Sequence, residues 1–413
     1  GPFVMWKTIK GKKFIEGVAE RRPKLVELYG KIGVGITGTS MVVMTGFLFF
    51  SAYLVVERAR DLNLEPHMLL GLPGLNPLIP LWYGIFALII AMVVHEFSHG
   101  FLSALAKVKI ISLGVMFFIL PMGAFVEPDE EEILKVEKKK RVRMYCAGPA
   151  SNIILAGVFM VVFSVILMGS VQPVHNLEGV GITDVGENTP AEDFGIREGM
   201  VMVSFNQAPV AEYTDFSDAI ANTTANQTVD IGIYDPEVDN IHVITVNLTD
   251  KSLITNEPDD EGFGYLGVST FTLGTDHFHP IGDSKTLGEM GNSLADYITL
   301  PLSGLSTVQG PMMEFYEIDG FWGFLPDQVF WVIANLCYWI FWLNLMVGLS
   351  NALPAVPLDG GYIFKDWLDS FLKRLKGFQD EEKRTETVNR IAVTLAFMIL
   401  FLILWQVIGP RIL

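Results

Sequence analysis

Five long uncharged runs constrain the fold more than any other feature of this 413-residue sequence. A helix needs about 20 consecutive apolar residues to cross the hydrocarbon core of a bilayer. The runs predict five membrane spans, near residues 33–56, 82–106, 147–169, 328–350 and 391–409. We therefore expect an α-helical polytopic protein that is integral to a membrane.

Basic residues are concentrated in three of the segments outside these spans. Lys and Arg number eight in residues 1–31, eight in 107–146 and seven in 365–390, but only three in 170–327. By the positive-inside rule, the three basic segments face the cytoplasm. This predicts a cytoplasmic N-terminus, an extracytoplasmic segment 170–327, and the cell membrane as the location.

The apolar run IISLGVMFFILPMGAFV, residues 110–126, is not counted as a sixth span, because a crossing there would reverse the side of every later loop. Pro121 and Gly123 interrupt a helical pattern, and the Phe, Ile and Val content favours strands. We predict a re-entrant β-hairpin, with a short tilted helix as the alternative. At membrane depth, protein must cover the backbone of such a hairpin.

The segment between the third and fourth spans has a different character. Residues 170–327 hold 26 acidic residues and three basic ones, and no nucleic-acid partner is expected. Short alternating strands such as VDIGIYD and HVITVNL lie within 179–272 and predict a soluble domain. None of its four histidines has the combination of spacing and acidic partner expected of a second metal site, although His277 and His279 could bind a metal adventitiously; the other two are His175 and His242.

Three ionisable residues lie inside the second apolar run, in the sequence HEFSH at 95–99. Residues four apart lie on one face of a helix, so His95 and His99 can bind a single metal ion. Glu96 lies beside them and can act as a general base without being a ligand, which is the zincin arrangement. Buried ionisable groups are costly in hydrocarbon unless they are paired or ligated, so we interpret this triplet as functional and not as a helix-packing contact.

A catalytic zinc with three protein ligands needs one more residue. Asp359 is the only other candidate within a predicted membrane segment, NLMVGLSNALPAVPLDGGYIF at 344–364. Pro354 and Pro357 prevent a continuous helix there, and the glycine pair that follows permits a tight turn. A segment that folds back in this way can carry Asp359 to the metal; a helix-capping or solvated loop residue is the alternative.

Together these motifs resemble those of the site-2 protease family of intramembrane zinc metalloproteases. The family pairs HExxH on one membrane helix with an N-x-x-P-x-x-P-L-D-G-G-like segment on another, and here the second motif reads NALPAVPLDGG at 351–361. MFFILPMGAFVE resembles the family's re-entrant hairpin, and AGPASN at 147–152 resembles its G-P-x-x-N motif. GENTPAEDFGIREGMVMVSFN resembles part of a PDZ domain, although Met200 stands where an acidic residue is common.

The resemblance implies a catalytic Zn²⁺ held by His95, His99 and Asp359, with Glu96 as the catalytic base. It also implies a set of substrate-binding residues on the hairpin and in the neighbouring motifs: Phe118, Ile119, Leu120, Gly123, Asn152 and Asn351. For Asn351, local capping of the broken segment is the alternative. The implied function is hydrolysis of peptide bonds in or near the membrane spans of single-pass proteins after prior trimming, with the PDZ-like domain filtering access. The implied partners are these substrates and the lipid bilayer.

The predicted fold class is thus a helical polytopic membrane protein with a re-entrant β-hairpin and an inserted soluble PDZ-like α+β domain. The predicted segments are, in order, a basic N-terminal segment (1–31), spans one and two (32–106), the hairpin and its loop (107–146), span three (147–169), the PDZ-like domain (175–275), an amphipathic membrane-surface segment (280–327), span four with the LDGG motif (328–364), a cytoplasmic loop (365–390) and span five (391–410).

Two other functions are compatible with parts of this pattern. One is a membrane metalloprotease that carries HExxH but takes its third ligand from a downstream glutamate; LPLDGG and the PDZ-like insert argue against it. The other is a proteolytically inactive sensor or scaffold, against which the intact His95, Glu96, His99 and Asp359 argue. A di-iron lipid oxidase is excluded, because only two of the seven histidines lie in the core of a span.

Overall fold

The protein is described here from a computed structural model, which covers residues 4–57, 71–117, 121–280, 286–303 and 305–412. The α-helices of these residues are α1 (Lys12–Arg21), α2 (Pro23–Glu57), α3 (Leu81–Leu105), α4 (Glu130–Lys135), α5 (Lys138–Val161), α6 (Pro190–Asp193), α7 (Tyr213–Ala221), α8 (Ser252–Thr255), α9 (Leu287–Ser303), α10 (Asp327–Asn351), α11 (Asp359–Leu372) and α12 (Glu381–Ile412). A π-helical turn, Val162–Leu167, continues α5.

The strands are mostly short. They are β1 (Val4–Thr8), β2 (Ile110–Phe117), β3 (Pro121–Pro128), β4 (Val171–Pro173), β5 (Val180–Val185), β6 (Val201–Phe205), β7 (Ala208–Pro209), β8 (Thr228–Asp235), β9 (Asn240–Asn247), β10 (Thr249–Asp250), β11 (Gly264–Tyr265), β12 (Val268–Thr272) and β13 (Tyr316–Ile318). The chain divides into two compact units, one of residues 1–160 and 336–413 and the other of residues 161–335. We call them the helical unit and the inserted unit.

Five described helices are long and apolar enough to cross a membrane, which confirms the number of predicted spans. They are α2, α3, α5 with its continuation to Ser170, α10 and α12. Several begin well before the predicted apolar stretch: α2 at Pro23, α5 at Lys138 and α12 at Glu381. Polar residues of good helix propensity extend each helix beyond the length that hydropathy alone detects.

Small residues bring α2 and α5 into close contact. A Cβ added to Gly33 would lie 3.3 Å from the Cβ of Ala150, and Thr37 donates its hydroxyl hydrogen bond to the carbonyl of Cys146 over 3.1 Å. Such residues let helix backbones approach where lipid offers no hydrophobic driving force. The contact holds α2 against the helix that, in turn, lies against the two motif histidines.

β2 and β3 form an antiparallel pair, in which Leu113 pairs with Val126, as the predicted hairpin requires; that the hairpin is re-entrant stays a prediction. The N-terminal strand β1 adds to β2, giving the strand order β1-β2-β3. The sequence predicts only a basic cytoplasmic segment for residues 1–31, and this third strand is an addition to that prediction. Among the described strands it occupies one edge of β2, and β3 is left as an edge strand. The position of this sheet relative to a membrane stays a prediction.

The inserted unit is built on an antiparallel sheet with the order β12-β5-β6-β8-β9, to which β7 adds beside β6. Its core contains a continuous apolar cluster that includes Ile182, Met202, Ile231, Ile233 and Val246, each fully buried. The predicted short alternating strands are therefore present. That this sheet belongs to a PDZ domain stays a prediction.

Candidate metal centre

Helix α3 presents the two motif histidines on one face, as the i, i+4 spacing predicts. The Nε2 atoms of His95 and His99 are 3.1 Å apart. Asp359 completes the group, since its Oδ2 atom lies 3.1 Å from Nε2 of His95 and 3.2 Å from Nε2 of His99. Among the described residues this is the one group of three His, Cys, Asp or Glu side chains close enough to hold a metal ion.

Asp359 reaches this position because the chain turns back sharply between α10 and α11. A Cβ added to Gly360 would lie 2.2 Å from the carbonyl oxygen of Ala352, and one added to Gly361 would lie 2.4 Å from the backbone nitrogen of Val356. Both separations are shorter than any real side chain allows, so the LDGG sequence needs its glycines for close backbone approach. The aspartate is the first residue of α11.

Hydrogen bonds set the orientation of the histidine rings. Nδ1 of His99 donates to the carbonyl oxygen of Met144 over 2.7 Å, which leaves Nε2 of that ring as a lone-pair donor facing His95 and Asp359. On the other ring, Nδ1 of His95 lies 3.4 Å from the side-chain amide of Asn152. Asn152 is fully buried. The atom of Asn152 at this distance is Nδ2. If Nε2 of His95 binds a cation, Nδ1 keeps its proton, and the Asn152 amide must then be turned so that its oxygen accepts from Nδ1.

Gly148 on α5 keeps open the space in front of both imidazoles. A Cβ at this position would lie 2.4 Å from Nε2 of His95 and 2.4 Å from Nε2 of His99. The AGPASN sequence thus supplies two features of the site, a vacant side-chain position at Gly148 and a buried amide at Asn152. The sequence shows only that AGPASN resembles a family motif. The contacts of Gly148 explain why this position must be a glycine.

The donor set fits zinc. Two imidazole nitrogens and one carboxylate oxygen are typical of catalytic zinc sites, which keep a further position for water. Ligand atoms about 2.0 to 2.2 Å from a tetrahedral ion are separated by roughly 3.3 to 3.6 Å, close to the separations found between these three side chains. His99 Nδ1 also has the carbonyl partner that metal-binding histidines usually have.

Glu96 is held by the hairpin. Its Oε2 accepts a hydrogen bond of 2.9 Å from the backbone N–H of Val126 on β3. The carboxylate that follows His95 in sequence is therefore attached to the edge strand of the three-stranded sheet. No sequence pattern predicts this contact, because the two residues lie 30 positions apart and the bond uses a backbone group.

The predicted substrate-binding residues fall into three groups. Phe118, Ile119 and Leu120 lie outside the described residues, and Gly123 lies in β3, where it pairs with Met116. Asn152 is placed against His95, as described above. Asn351 donates its amide to the carbonyl of Val347 over 3.0 Å, one turn back in its own helix. A contact of any of these residues with substrate stays a prediction.

In the inserted unit, His175 lies between two carboxylates. Its Nε2 lies 2.6 Å from Asp239 and its Nδ1 lies 3.4 Å from Glu317. Both partners are distant in sequence, so spacing could not reveal them. The two nitrogens face different carboxylates on an exposed surface, which is the arrangement of an ion pair and not of a metal site.

Comparison with known proteins agrees with this geometry. The profile of Peptidase family M50 matches residues 83–400, a stretch that contains HEFSH, AGPASN and the LDGG segment. The chain belongs to peptidase family M50. This is the site-2 protease family, and the predicted resemblance is confirmed.

Individual M50 relatives are distant. The chain is 23% identical over 343 residues to an uncharacterised protein, MJ0971, of Methanocaldococcus jannaschii, which covers 81% of this chain and 70% of the relative. It is 23% identical to the regulator of sigma-W protease RasP of Bacillus subtilis, covering 65% of this chain and 58% of RasP. It is 24% identical to the zinc metalloprotease RasP of Shouchella clausii, covering 65% of this chain and 59% of the relative. The chain thus spans less than two thirds of the length of either RasP protein.

Proposed function

We propose that this protein is an intramembrane zinc metalloprotease that hydrolyses peptide bonds in or near the membrane spans of other proteins. The observation that carries the proposal is the convergence of His95, His99 and Asp359 on one point beside Glu96. Membership of family M50 and the names of the zinc metalloprotease relatives support the same chemistry. The helix that carries both histidines is one of the five candidate spans, which supports a reaction within the membrane.

In this proposal His95, His99 and Asp359 hold the zinc ion, and Glu96 acts as the general base. When bound, zinc supplies Lewis-acid polarisation of the scissile carbonyl and makes water more acidic. Glu96 takes a proton from the attacking water and passes it to the leaving amine. The Val126 N–H fixes the Glu96 carboxylate through Oε2 and leaves the other oxygen available for this transfer. Gly148 keeps the approach to the histidines clear of side chains.

We propose that the substrate binds as an extended strand along β3. A membrane helix must unwind before cleavage, because its carbonyls are tied up in intrahelical hydrogen bonds. Strand addition at an edge would replace those bonds inside the membrane. β3 is suited to this role because β1 already pairs with β2, and because Val126 of β3 touches the proposed base. Single-pass membrane proteins, trimmed beforehand by another protease, are the proposed substrates.

The proposed catalytic site is tested by comparing cleavage by wild type and by Glu96→Gln in proteoliposomes that contain a single-span model substrate. Glu96→Gln keeps the hydrogen bond to Val126 but cannot accept the water proton, so cleavage should fall by about 100-fold or more while zinc content stays at one per chain. His95→Ala should lose zinc and cleavage together. Turnover near the wild-type rate in Glu96→Gln would refute the base assignment. Absence of cleavage in wild type would favour a sensor or scaffold.

We propose further that the inserted unit filters substrates by size and charge. Its acidic excess, 26 acidic residues against three basic ones in residues 170–327, would repel large acidic ectodomains. The test is deletion of residues 179–272, assayed with matched substrates that carry a long or a short ectodomain. Wild type should cleave the short one preferentially, and the deletion should cleave both alike. A preference for the short substrate that survives the deletion would assign the filter elsewhere, for example to the segment 287–318.

We propose a cell-membrane location with the N-terminus inside and the inserted unit outside. Both native cysteines are buried, so single added cysteines can report the topology. Leu134→Cys and Val238→Cys are suitable because both positions are exposed. In sealed vesicles a membrane-impermeant reagent should label one and not the other. Labelling of both from the same side would contradict the charge-based assignment.

A further inference from the structure

A cavity at the basic ends of two spans has no role in the proposed reaction. It has a volume of about 330 Å³ and lies between α2, the first turns of α5, and α11. Val34, Val142 and Trp367 form an apolar wall, and Asp366 and Ser370 add polar groups from α11. The rim holds four basic side chains: Lys31, Lys138, Lys139 and Arg143.

The wall of this cavity is well defined. The ring of Trp367 lies against α2, since a Cβ added to Gly38 would be 3.1 Å from its Cη2 atom. Asp366 is fixed by Arg141, whose Nε donates to Oδ2 over 2.8 Å. The cavity is therefore bounded by packed helices, with an apolar side next to residues that continue into a candidate span.

The positive charge on the rim is only partly neutralised within the protein. Lys138 pairs with Asp369, and Lys31 pairs with Glu27 over 2.9 Å. Arg143 has only the same Glu27 at 3.5 Å, and Lys139 has no ion pair with any described residue. An anion in the cavity would supply the missing partner for Lys139 and strengthen that of Arg143.

We infer that this cavity binds the headgroup of an anionic phospholipid. A phosphodiester would lie against Lys139 and Arg143, a hydroxyl of the headgroup would face Asp366 and Ser370, and an acyl chain would follow Val34 and Trp367. Basic pockets between membrane helices bind lipids of this class, and each nearby cation favours an anionic over a zwitterionic lipid. A choline headgroup would bring its own cation to a basic rim. The apolar wall favours a lipid over a free phosphate ion.

The bound lipid would connect helices that carry parts of the metal centre. α5 contributes Gly148 and the Met144 carbonyl, and α11 begins at Asp359. The inference does not depend on the proposed hydrolysis, because lipid binding is measured without substrate.

The test compares Lys139→Gln/Arg143→Gln with Lys135→Gln/Lys140→Gln in the full-length protein. The second pair removes the same charge from the same basic segment but does not line the cavity. Native mass spectrometry with equal amounts of phosphatidylglycerol and phosphatidylcholine measures which lipid is retained. Wild type and the control should retain phosphatidylglycerol, whereas the cavity variant should lose about tenfold in its preference. An equal loss in both variants, or no loss in either, would refute the site.

Two further measurements identify the occupant. The fluorescence of Trp367 is the difference between the emission of wild type and that of Trp367→Phe. Phosphatidylglycerol with brominated acyl chains should quench this emission, and brominated phosphatidylcholine should quench it much less. Equal quenching by the two lipids would contradict a headgroup-specific site. Millimolar inorganic phosphate should leave phosphatidylglycerol bound; displacement of the lipid by phosphate would show a site for free anions instead. Zinc content reports folding of every variant, since the metal centre lies in the same unit.

Discussion

The interior around His95 and the interior of the inserted sheet use buried space differently. Around His95, the buried or half-buried side chains include Asn152, Ser151, His99 and Asp359, and glycines leave room where side chains would otherwise stand. The inserted sheet buries a continuous apolar cluster, and its His175–Asp239 ion pair lies at the surface. Buried polar groups are costly unless they are satisfied, so the first arrangement indicates a binding centre and the second indicates a packed scaffold.

This difference predicts opposite responses to small substitutions. In the helical unit, adding a single methyl group near the histidines should remove function with little effect on folding. In the inserted unit, removing methyl groups from the core should reduce stability with little effect on the metal.

Gly148→Ala should abolish metal binding. The new Cβ would lie 2.4 Å from Nε2 of both His95 and His99, in the space where a metal ion has to bind. The loss of zinc affinity should exceed the roughly 10- to 100-fold typical of losing an outer-shell partner. Gly157→Ala is the matched control, because it lies in the same helix and its added Cβ would meet no atom within 4 Å. Equal zinc content in the two variants would show that the glycine is not needed for the site.

Ile231→Ala should destabilise the inserted unit but leave zinc bound. Ile231 is fully buried at the centre of β8, so truncation should cost about 2 to 5 kcal/mol of the free energy of unfolding. Hydrogen exchange of the β8 amides in the intact protein measures this, beside metal analysis. Val243→Ala on the exposed face of β9 is the control and should change exchange far less. Loss of zinc in Ile231→Ala would mean that the two interiors are not independent.

Substitutions of Asn152 separate a positioning role from substrate binding. Asn152→Asp offers an oxygen that can accept from Nδ1–H of His95, as the turned amide of Asn152 would, whereas Asn152→Leu offers none. If Asn152 orients the histidine, the leucine variant should lose about 10- to 100-fold in zinc affinity and the aspartate variant should recover most of it. Competition with a chelator gives these affinities. Unchanged zinc affinity together with a raised KM in Asn152→Leu would instead assign this residue to the substrate, as the sequence motif suggested.

The sequence predicted the parts of the structure that depend on local patterns of residues. Apolar length predicts the five candidate spans, and the i, i+4 spacing places His95 and His99 on one face of α3. Asp359 was predictable because few carboxylates lie in apolar segments. The missed features depend on contacts between distant residues: β1 beside β2, the Val126 N–H on Glu96, and the open space at Gly148. A backbone hydrogen bond or a missing side chain leaves no periodicity in the sequence.

The smallest expected effect concerns the ion pair at the surface of the inserted unit. The hydrogen bond from His175 to Asp239, together with the charges of Asp239 and Glu317, raises the pKa of His175, and the same bond, with a further one from Tyr234, lowers the pKa of Asp239.

The raised histidine pKa gives a contribution to stability that is complete below the unfolded pKa of about 6.5 and is lost as the pH rises through the folded value. The lowered pKa of Asp239 gives a second contribution to stability, which is complete above the unfolded pKa of about 3.9 and is lost as the pH falls through the folded value. The pair should therefore stabilise the unit most between about pH 4 and 6.5. The hydrogen-exchange rates of wild type and His175→Gln should differ most near the middle of that window and least at alkaline pH. The difference should also shrink in high salt, because both charged groups are exposed and salt screens their interaction. A difference that grows toward alkaline pH would contradict the assignment. Equal zinc content of wild type and His175→Gln at each pH would confirm that this charge pair is independent of the metal centre, whose histidine ligands release zinc at low pH in both proteins.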